Sequence, residues 1–228
     1  MRIAKYLFSF FLVLIFGLSA VAQTTIVPDT AFLLRETKGD VYHAIFIDTT
    51  KASLYYDYIT TFQFDETDSA SYQASLDCMG ILSFMKYNDF GLPKKWNLLY
   101  TYKNGYYLYS PSDYVNNYRV LISDSTYTDY YGTGPFAHKI NSLTKINNKT
   151  YTFDLSSCND IQKKVIIHII DPQKGIAIFE DPAADKEDRY VLMVSTDKAK
   201  EFPIIVNFSP QKEPEYKFDE PDYEQLLK

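Results

Sequence analysis

Short apolar runs separated by turn-forming residues recur along most of the chain. The turns between neighbouring runs carry Gly with Asp or Pro, as in Lys38-Gly39-Asp40 and in Asp171-Pro172-Gln173-Lys174-Gly175, a composition typical of β-hairpins. The runs that we interpret as strands are Ala31–Thr37, Val41–Asp48, Lys164–Ile170, Ile176–Glu180, Tyr190–Ser195 and Pro203–Phe208. The pattern therefore predicts a series of short strands joined by close turns.

The firmest local signal is the segment Trp96–Ser110, which contains Asn104-Gly105. This pair is preferred in two-residue type I′ turns, because both positions adopt φ > 0. The turn predicts a hairpin register with Lys103 opposite Tyr106, Tyr102 opposite Tyr107, and Tyr100 opposite Tyr109. One face of the hairpin then carries Trp96, Leu98, Tyr100, Tyr102, Tyr107 and Tyr109.

Two segments are ambiguous between strand and helix. Ser53–Phe64 is rich in Tyr, Phe and Thr, which favours a strand, although its apolar spacing also allows a helix. From Ser71 to Cys78 apolar and polar residues alternate, which again favours a strand. The alternative for this second segment is a helix with Asp68 as its N-cap.

The composition favours the same fold class, because 17% of the residues are aromatic and 21 of them are Tyr. We predict an all-β, single antiparallel domain of about ten strands over residues 23–208, either an up-and-down barrel or a two-sheet sandwich. The position of Trp96 at the start of a series of up-and-down strands is similar to the position of a Trp in lipocalin-like secreted barrels. Their Gly-x-Trp signature is missing here, because Trp96 follows Lys94-Lys95, so we assign no family. Residues 209–228 hold three Pro among charged residues and predict an extended or loosely attached tail.

Residues 1–22 have the three parts of a cleaved signal peptide. Arg2 and Lys5 are followed by the apolar run Tyr6–Leu18 and by the small-x-small site Ala20-Val21-Ala22. A membrane anchor is the alternative, but the run is short for a bilayer, which needs about 20 apolar residues. We therefore expect a secreted or periplasmic protein with no membrane span after cleavage.

Charge and cysteine content agree with export. Cleavage would remove two positive charges and change the net charge from −6 to about −8. An acidic chain without Lys/Arg clusters repels phosphate backbones, so we expect no nucleic-acid partner. Cys78 and Cys158 are the two cysteines, and in an oxidising compartment we expect them to form a disulfide.

Motifs for catalysis or metal binding are missing from the sequence. His43, His138 and His168 lie in different segments, without the spacing of a metal site, and no G-x-S-x-G motif occurs. We predict no metal site and no cofactor, and we expect His168, in a run of Val and Ile, to be a buried structural histidine. Paired carboxylates of a hydrolase remain an alternative, because two acidic residues suffice for that chemistry.

The density of tyrosine is the one feature that indicates a function. Tyr combines a large apolar ring with a polar hydroxyl, a combination suited to sugars, amphiphiles and protein surfaces. We therefore hypothesise a non-catalytic binding domain that recognises a glycan, a lipid-like molecule or a protein. The predicted ligand-binding residues lie on the hairpin face: Trp96, Tyr100, Tyr102, Tyr107 and Tyr109. The alternatives are a secreted hydrolase and an envelope scaffold protein.

Overall fold

The structure, a computed structural model, describes residues 31–80 and 87–228. The predicted signal peptide, residues 1–22, lies outside these residues, and its cleavage stays a prediction. The described part consists mainly of strands, with three short α-helices, so the predicted all-β fold class is confirmed.

Thirteen strands are found within the described residues. In chain order they are β1 (Ala31–Lys38), β2 (Val41–Asp48), β3 (Lys95–Leu98), β4 (Tyr100–Tyr102), β5 (Gly105–Ser110), β6 (Arg119–Ile122), β7 (Thr126–Tyr131), β8 (Gly134–Lys145), β9 (Thr150–Ser156), β10 (Gln162–Asp171), β11 (Ile176–Glu180), β12 (Tyr190–Ser195) and β13 (Ile204–Phe208). The α-helices are α1 (Leu54–Thr60), α2 (Glu66–Cys78) and α3 (Tyr223–Leu226).

Eight strands close into an antiparallel barrel in the order β10-β11-β12-β3-β6-β7-β8-β9, with β9 paired to β10. Successive barrel strands along the chain are neighbours, and β3 closes the barrel by pairing with β12. The other five strands form a sheet in the order β1-β2-β13-β5-β4. All pairs in it are antiparallel except β13 with β5, two strands far apart in the chain that no hairpin forces to be antiparallel. Of the two predicted architectures, the structure contains the barrel.

Alternate side chains of the barrel strands fill its interior, as the pleat of a strand requires. Trp96 lies there fully buried, and its ring centroid is 5.2 Å from that of Phe179. Leu99 separates β3 from β4, so the chain leaves the barrel at this residue and enters the five-stranded sheet. The predicted Trp96–Ser110 hairpin is therefore divided between two layers.

The turn of that hairpin lies one residue earlier than predicted. Lys103 and Asn104 have φ of 46° and 62°, and Tyr102 pairs with Gly105. An aspartate of the C-terminal segment stabilises this turn, because the Lys103 N–H donates to Asp219 Oδ2 at 2.6 Å. Tyr100 therefore lies opposite Tyr107, instead of Tyr109 as the predicted register had it. Moving the turn by one residue changes the pairing register by two, an even number, so the four tyrosines keep a common face.

Both ambiguous segments contain helices, so the preferred strand interpretation was wrong for each. The Ser53 hydroxyl caps α1 by accepting from the Tyr55 N–H, and Asp65, not Asp68, caps α2. The alternation from Ser71 fits a helix as well as a strand. Tyr72 and Leu76 are four residues apart, a spacing that places two side chains on the same face in either structure. That face packs on the barrel, where the Tyr72 hydroxyl lies 3.0 Å from Thr126 Oγ1 and Leu76 is buried.

The predicted disulfide is confirmed. Cys78 at the end of α2 is bonded to Cys158 in the turn that follows β9, with Cα atoms 5.5 Å apart. The bond links residues 80 positions apart and ties α2 to the barrel.

We expect the double variant Cys78→Ser/Cys158→Ser to lose roughly 2–5 kcal/mol of unfolding free energy, because the denatured chain gains freedom when the long loop opens. Urea denaturation of the variant and of the unreduced protein measures the difference. As a control, unreduced wild-type protein should resist alkylation. Two alkylated cysteines in folded, unreduced protein would contradict the bridge.

Candidate functional site

Four of the five predicted ligand-binding residues lie together on one face of the five-stranded sheet. Tyr100, Tyr102, Tyr107 and Tyr109 surround a small core with Ile45 and Ile205. We call these four residues the tyrosine face. Trp96 is separate from it, because its ring is enclosed in the barrel and its Nε1 donates to the Pro93 carbonyl at 2.7 Å. The prediction that Trp96 shares this face is therefore wrong.

The C-terminal segment covers the tyrosine face. The ring of Phe218 lies 4.3 Å from that of Tyr100, and the ring of Tyr216 lies 5.7 Å from that of Tyr102. The Asp219 N–H donates to the Thr101 carbonyl at 3.0 Å, which extends the sheet beyond its edge strand β4. The segment is extended, but it is closely packed rather than loosely attached.

Glu215 is the main polar anchor of this segment. Its Oε1 accepts hydrogen bonds from the Asp113 N–H at 3.1 Å and from Asn116 Nδ2 at 3.1 Å, and the Tyr109 hydroxyl donates to Oε2. Burial raises the pKa of Tyr109, and the hydrogen bond to Glu215 raises it further, so this hydroxyl remains a donor. The tyrosine face is thus occupied by the protein's own chain.

A second candidate site is a cavity of about 340 Å³ that opens at one end of the barrel, beside the loop of residues 181–189 between β11 and β12. We call it the mouth pocket. Apolar and aromatic side chains share its wall with charged ones: Tyr118, Tyr127, Tyr131, Val165, Phe179, Ala184 and Val191 with Lys163, Glu180, Asp181, Asp188 and Arg189. Its volume lies within the range of pockets that hold small ligands.

A buried carboxylate, that of Asp129, organises one side of this end of the barrel. It is 2% exposed and accepts from the Tyr118 hydroxyl at 2.6 Å, from Lys163 Nζ at 2.8 Å and from His138 Nε2 at 2.9 Å. Burial opposes ionisation, but the hydrogen bond from His138 and the charge of Lys163 outweigh it and lower the pKa of Asp129 to about 2. Asp129 is therefore ionised at neutral pH, and it holds Tyr118 and Lys163 in the pocket wall.

The outer wall of the pocket contains aromatic rings and an ion pair. Tyr118 and Tyr131 lie with ring centroids 5.0 Å apart, and Tyr131 is 44% exposed. Arg189 Nε donates to Glu180 Oε1 at 2.9 Å, and His168 Nε2 lies 2.9 Å from Glu180 Oε2. His168 is half-buried on the outside of the barrel rather than in its core, because its position in β10 alternates with the inward-facing Val165 and Ile167.

Sequence reasoning missed the mouth pocket, although one signal for it was present. Tyr127, Asp129 and Tyr131 alternate along β7, so all three side chains face the same side of one strand. The alternation alone does not say whether that side is the barrel interior. The partners Lys163 and His138 are distant in sequence, and only barrel closure brings them to Asp129.

The described residues have neither a metal-binding cluster nor a membrane-spanning helix. They contain no group of three or more His, Cys, Asp or Glu side chains placed to hold a metal ion. None of their helices has the length and apolar character needed to cross a membrane.

Glu215→Gln should loosen the C-terminal segment, because hydrogen bonds to a charged acceptor typically contribute about 1.5–3 kcal/mol. We expect trypsin to cleave native protein at Lys212 and Lys217 at least about tenfold faster. Glu224→Gln, an exposed change in α3, is the control. Equal cleavage rates for wild type and Glu215→Gln would show that Glu215 does not anchor the segment.

Asp129→Asn should lower stability at pH 7 by roughly 2 kcal/mol or more, because Lys163 loses its counter-charge. The folded pKa of Asp129 is about 2 against an ordinary 3.8. Its ionisation therefore stabilises the protein above about pH 4, and this stabilisation, about 2 kcal/mol, is lost as pH falls towards 2. Urea denaturation between pH 2 and 7 should show a shallower acid dependence for Asp129→Asn than for wild type, whereas Asp185→Asn should follow wild type.

Comparison with known proteins gives no family assignment. No protein-family model, no curated protein and no solved structure matches the chain. The function of the two candidate sites is therefore inferred from their geometry and chemistry.

Proposed function

We propose that this protein is an exported, non-catalytic binding protein that takes a small amphipathic molecule into the mouth pocket. The observation that carries the proposal is an open cavity of about 340 Å³ whose wall combines tyrosine rings with an ordered set of charged side chains. An eight-stranded barrel has an interior just wide enough either to fill with side chains or to hold one small ligand.

The difference between the filled centre of the barrel and its open end supports this location. Apolar side chains such as Phe153 and Leu155 fill the centre, whereas at the open end Tyr131 leaves 44% of its surface exposed. A ligand that stacks on Tyr131 and Tyr118 would cover aromatic surface that the fold leaves open.

The mouth pocket is a better candidate than the tyrosine face. Phe218 and Tyr216 pack against the rings of that face, so a ligand there would have to displace the C-terminal segment. The mouth pocket needs no such displacement. The binding function proposed from the tyrosine density is therefore retained, and its location is changed.

Two carboxylates at the pocket support binding rather than hydrolysis. A glycosidase needs one carboxylic acid with a raised pKa. Asp129 and Glu180 show the opposite: burial opposes their ionisation, but hydrogen bonds from His138 to Asp129 and from His168 and Arg189 to Glu180 lower both pKa values. Each carboxylate is already used to position neighbouring side chains.

Export to the periplasm or the exterior is part of the proposal. The Cys78–Cys158 bridge is typical of proteins from oxidising compartments, and residues 1–22 have the pattern of a signal peptide.

The experiment uses the neutral fluorescent amphiphile N-phenyl-1-naphthylamine as a probe. We expect wild-type protein to bind it and the double variant Tyr118→Ala/Tyr131→Ala to bind at least about tenfold more weakly, because two ring contacts are lost. Tyr102→Ala/Tyr107→Ala, on the covered tyrosine face, is the matched control and should keep its affinity. Urea denaturation of each variant separates lost binding from unfolding.

Either of two results would contradict this proposal. Wild-type protein that binds neither the probe nor any member of an amphiphile and glycan panel would argue against a ligand in the mouth pocket. Loss of affinity in the Tyr102→Ala/Tyr107→Ala variant alone would move the site back to the tyrosine face.

A further inference from the structure

We infer that the ligand of the mouth pocket is an organic cation, an ammonium group joined to an apolar body. This inference rests on the proposed binding function and adds the charge of the ligand. It depends on which charged groups at the pocket already have a partner.

Both cationic side chains of the pocket wall are neutralised by carboxylates of the protein. Lys163 Nζ lies 2.8 Å from Asp129 Oδ2, and Arg189 Nε lies 2.9 Å from Glu180 Oε1. An anionic ligand would therefore find no cation whose charge is unbalanced. If it drew Lys163 or Arg189 away, a buried carboxylate would lose its counter-charge, which is costly.

Two other carboxylates at the pocket, Asp181 and Asp188, make no ion pair within the described part of the chain. Asp181 caps a turn of its own loop, where its Oδ1 accepts from the Ala183 N–H at 3.0 Å. Burial is the largest cause that raises the pKa of Tyr127, and Asp181 is among the charges that raise it further. The negative charge of Asp181 therefore acts inside the pocket, and the pocket wall keeps two uncompensated negative charges.

The tyrosine rings of this end of the barrel already accept cations. Lys163 Nζ lies 5.8 Å from the ring centroid of Tyr127, and the Arg189 guanidinium lies 5.3 Å from that of Tyr190. A ring face attracts a cation within about 6 Å. Tyr131, with its exposed ring, offers the same interaction to a ligand near Asp181 and Asp188.

The net charge of the chain also favours a cationic ligand. At −6, it attracts cations towards the protein and repels anions, and the two carboxylates without an ion pair, Asp181 and Asp188, concentrate this field at the pocket. The chemistry that fits best is thus a single ammonium at the rim with an apolar portion that reaches Phe179 and Val191.

The test compares three amphiphiles with one decyl chain and different head groups, each below its micelle concentration: decyltrimethylammonium, decyl maltoside and decyl sulfate. Each displaces N-phenyl-1-naphthylamine from the wild-type protein at low salt. We expect the cation to bind at least about tenfold more tightly than the neutral maltoside, and the sulfate to bind most weakly. Added salt should reduce the preference for the cation, because these charges are partly exposed.

The decisive variant is Asp181→Asn/Asp188→Asn, which keeps side-chain size and the Asp181 turn cap. It should lose the preference for the cation and keep the affinity for decyl maltoside. The matched control is Asp185→Asn/Glu187→Gln, which removes the same charge from the same loop away from the pocket wall. It should keep most of the preference.

The outcomes separate this inference from the proposed function. If decyl maltoside or decyl sulfate binds as tightly as the cation, the charge assignment is wrong and the binding function stands. An unchanged preference in Asp181→Asn/Asp188→Asn, or equal losses in that variant and the control, also overturns the assignment. If none of the three amphiphiles and no probe binds, the proposed function itself falls.

Discussion

The pairing of β3 with β12 is the contact on which the rest of the structure depends. Leu98 pairs with Met193 and Trp96 with Ser195, which joins the first barrel strand to the last across about 100 residues of chain. Asn97 strengthens this seam, because its Nδ2 donates to the Ile59 carbonyl and its Oδ1 accepts from the Thr196 hydroxyl. Closure gives the N–H and C=O groups at both sheet edges a hydrogen-bonding partner, and it encloses Trp96. The mouth pocket, at one end of the closed barrel, depends on this seam.

Two carboxylates, the buried Asp129 and the half-buried Glu215, then determine what is open and what is covered. Asp129, with donors from three different strands or their flanks, orders the pocket wall and leaves the barrel end open. Glu215 collects donors from the segment after β5 and from Tyr109, and it closes the tyrosine face under the C-terminal segment. In both places several donors in fixed positions hydrogen-bond to the carboxylate and compensate for its lost contact with water, which makes each arrangement specific.

The sequence pattern predicted secondary structure correctly where local interactions alone determine the backbone conformation. It was wrong where local interactions allow two conformations. Val41–Asp48, Ile176–Glu180 and Tyr190–Ser195 are strands with the predicted limits. The segment from Ser71 to Cys78 is a helix, because the Asp65 cap and packing on β8 outweigh an alternation that both periodicities accommodate. The hairpin turn lies one residue earlier than predicted, and Asp219, more than 100 residues away, accepts a hydrogen bond from the Lys103 N–H of that turn.

By itself the sequence determined the all-β class, most strands, the common face of the four tyrosines and the pairing of the only two cysteines. Each of these follows from the side-chain period of a strand, from turn chemistry or from the chemistry of a single residue type. Only the tertiary structure decided that Trp96 and the tyrosines separate, that Phe218 covers Tyr100, and that Asp129 meets Lys163 at an open pocket. These outcomes depend on which distant segments bury one another's surface, and that choice follows from barrel closure, which no local pattern encodes.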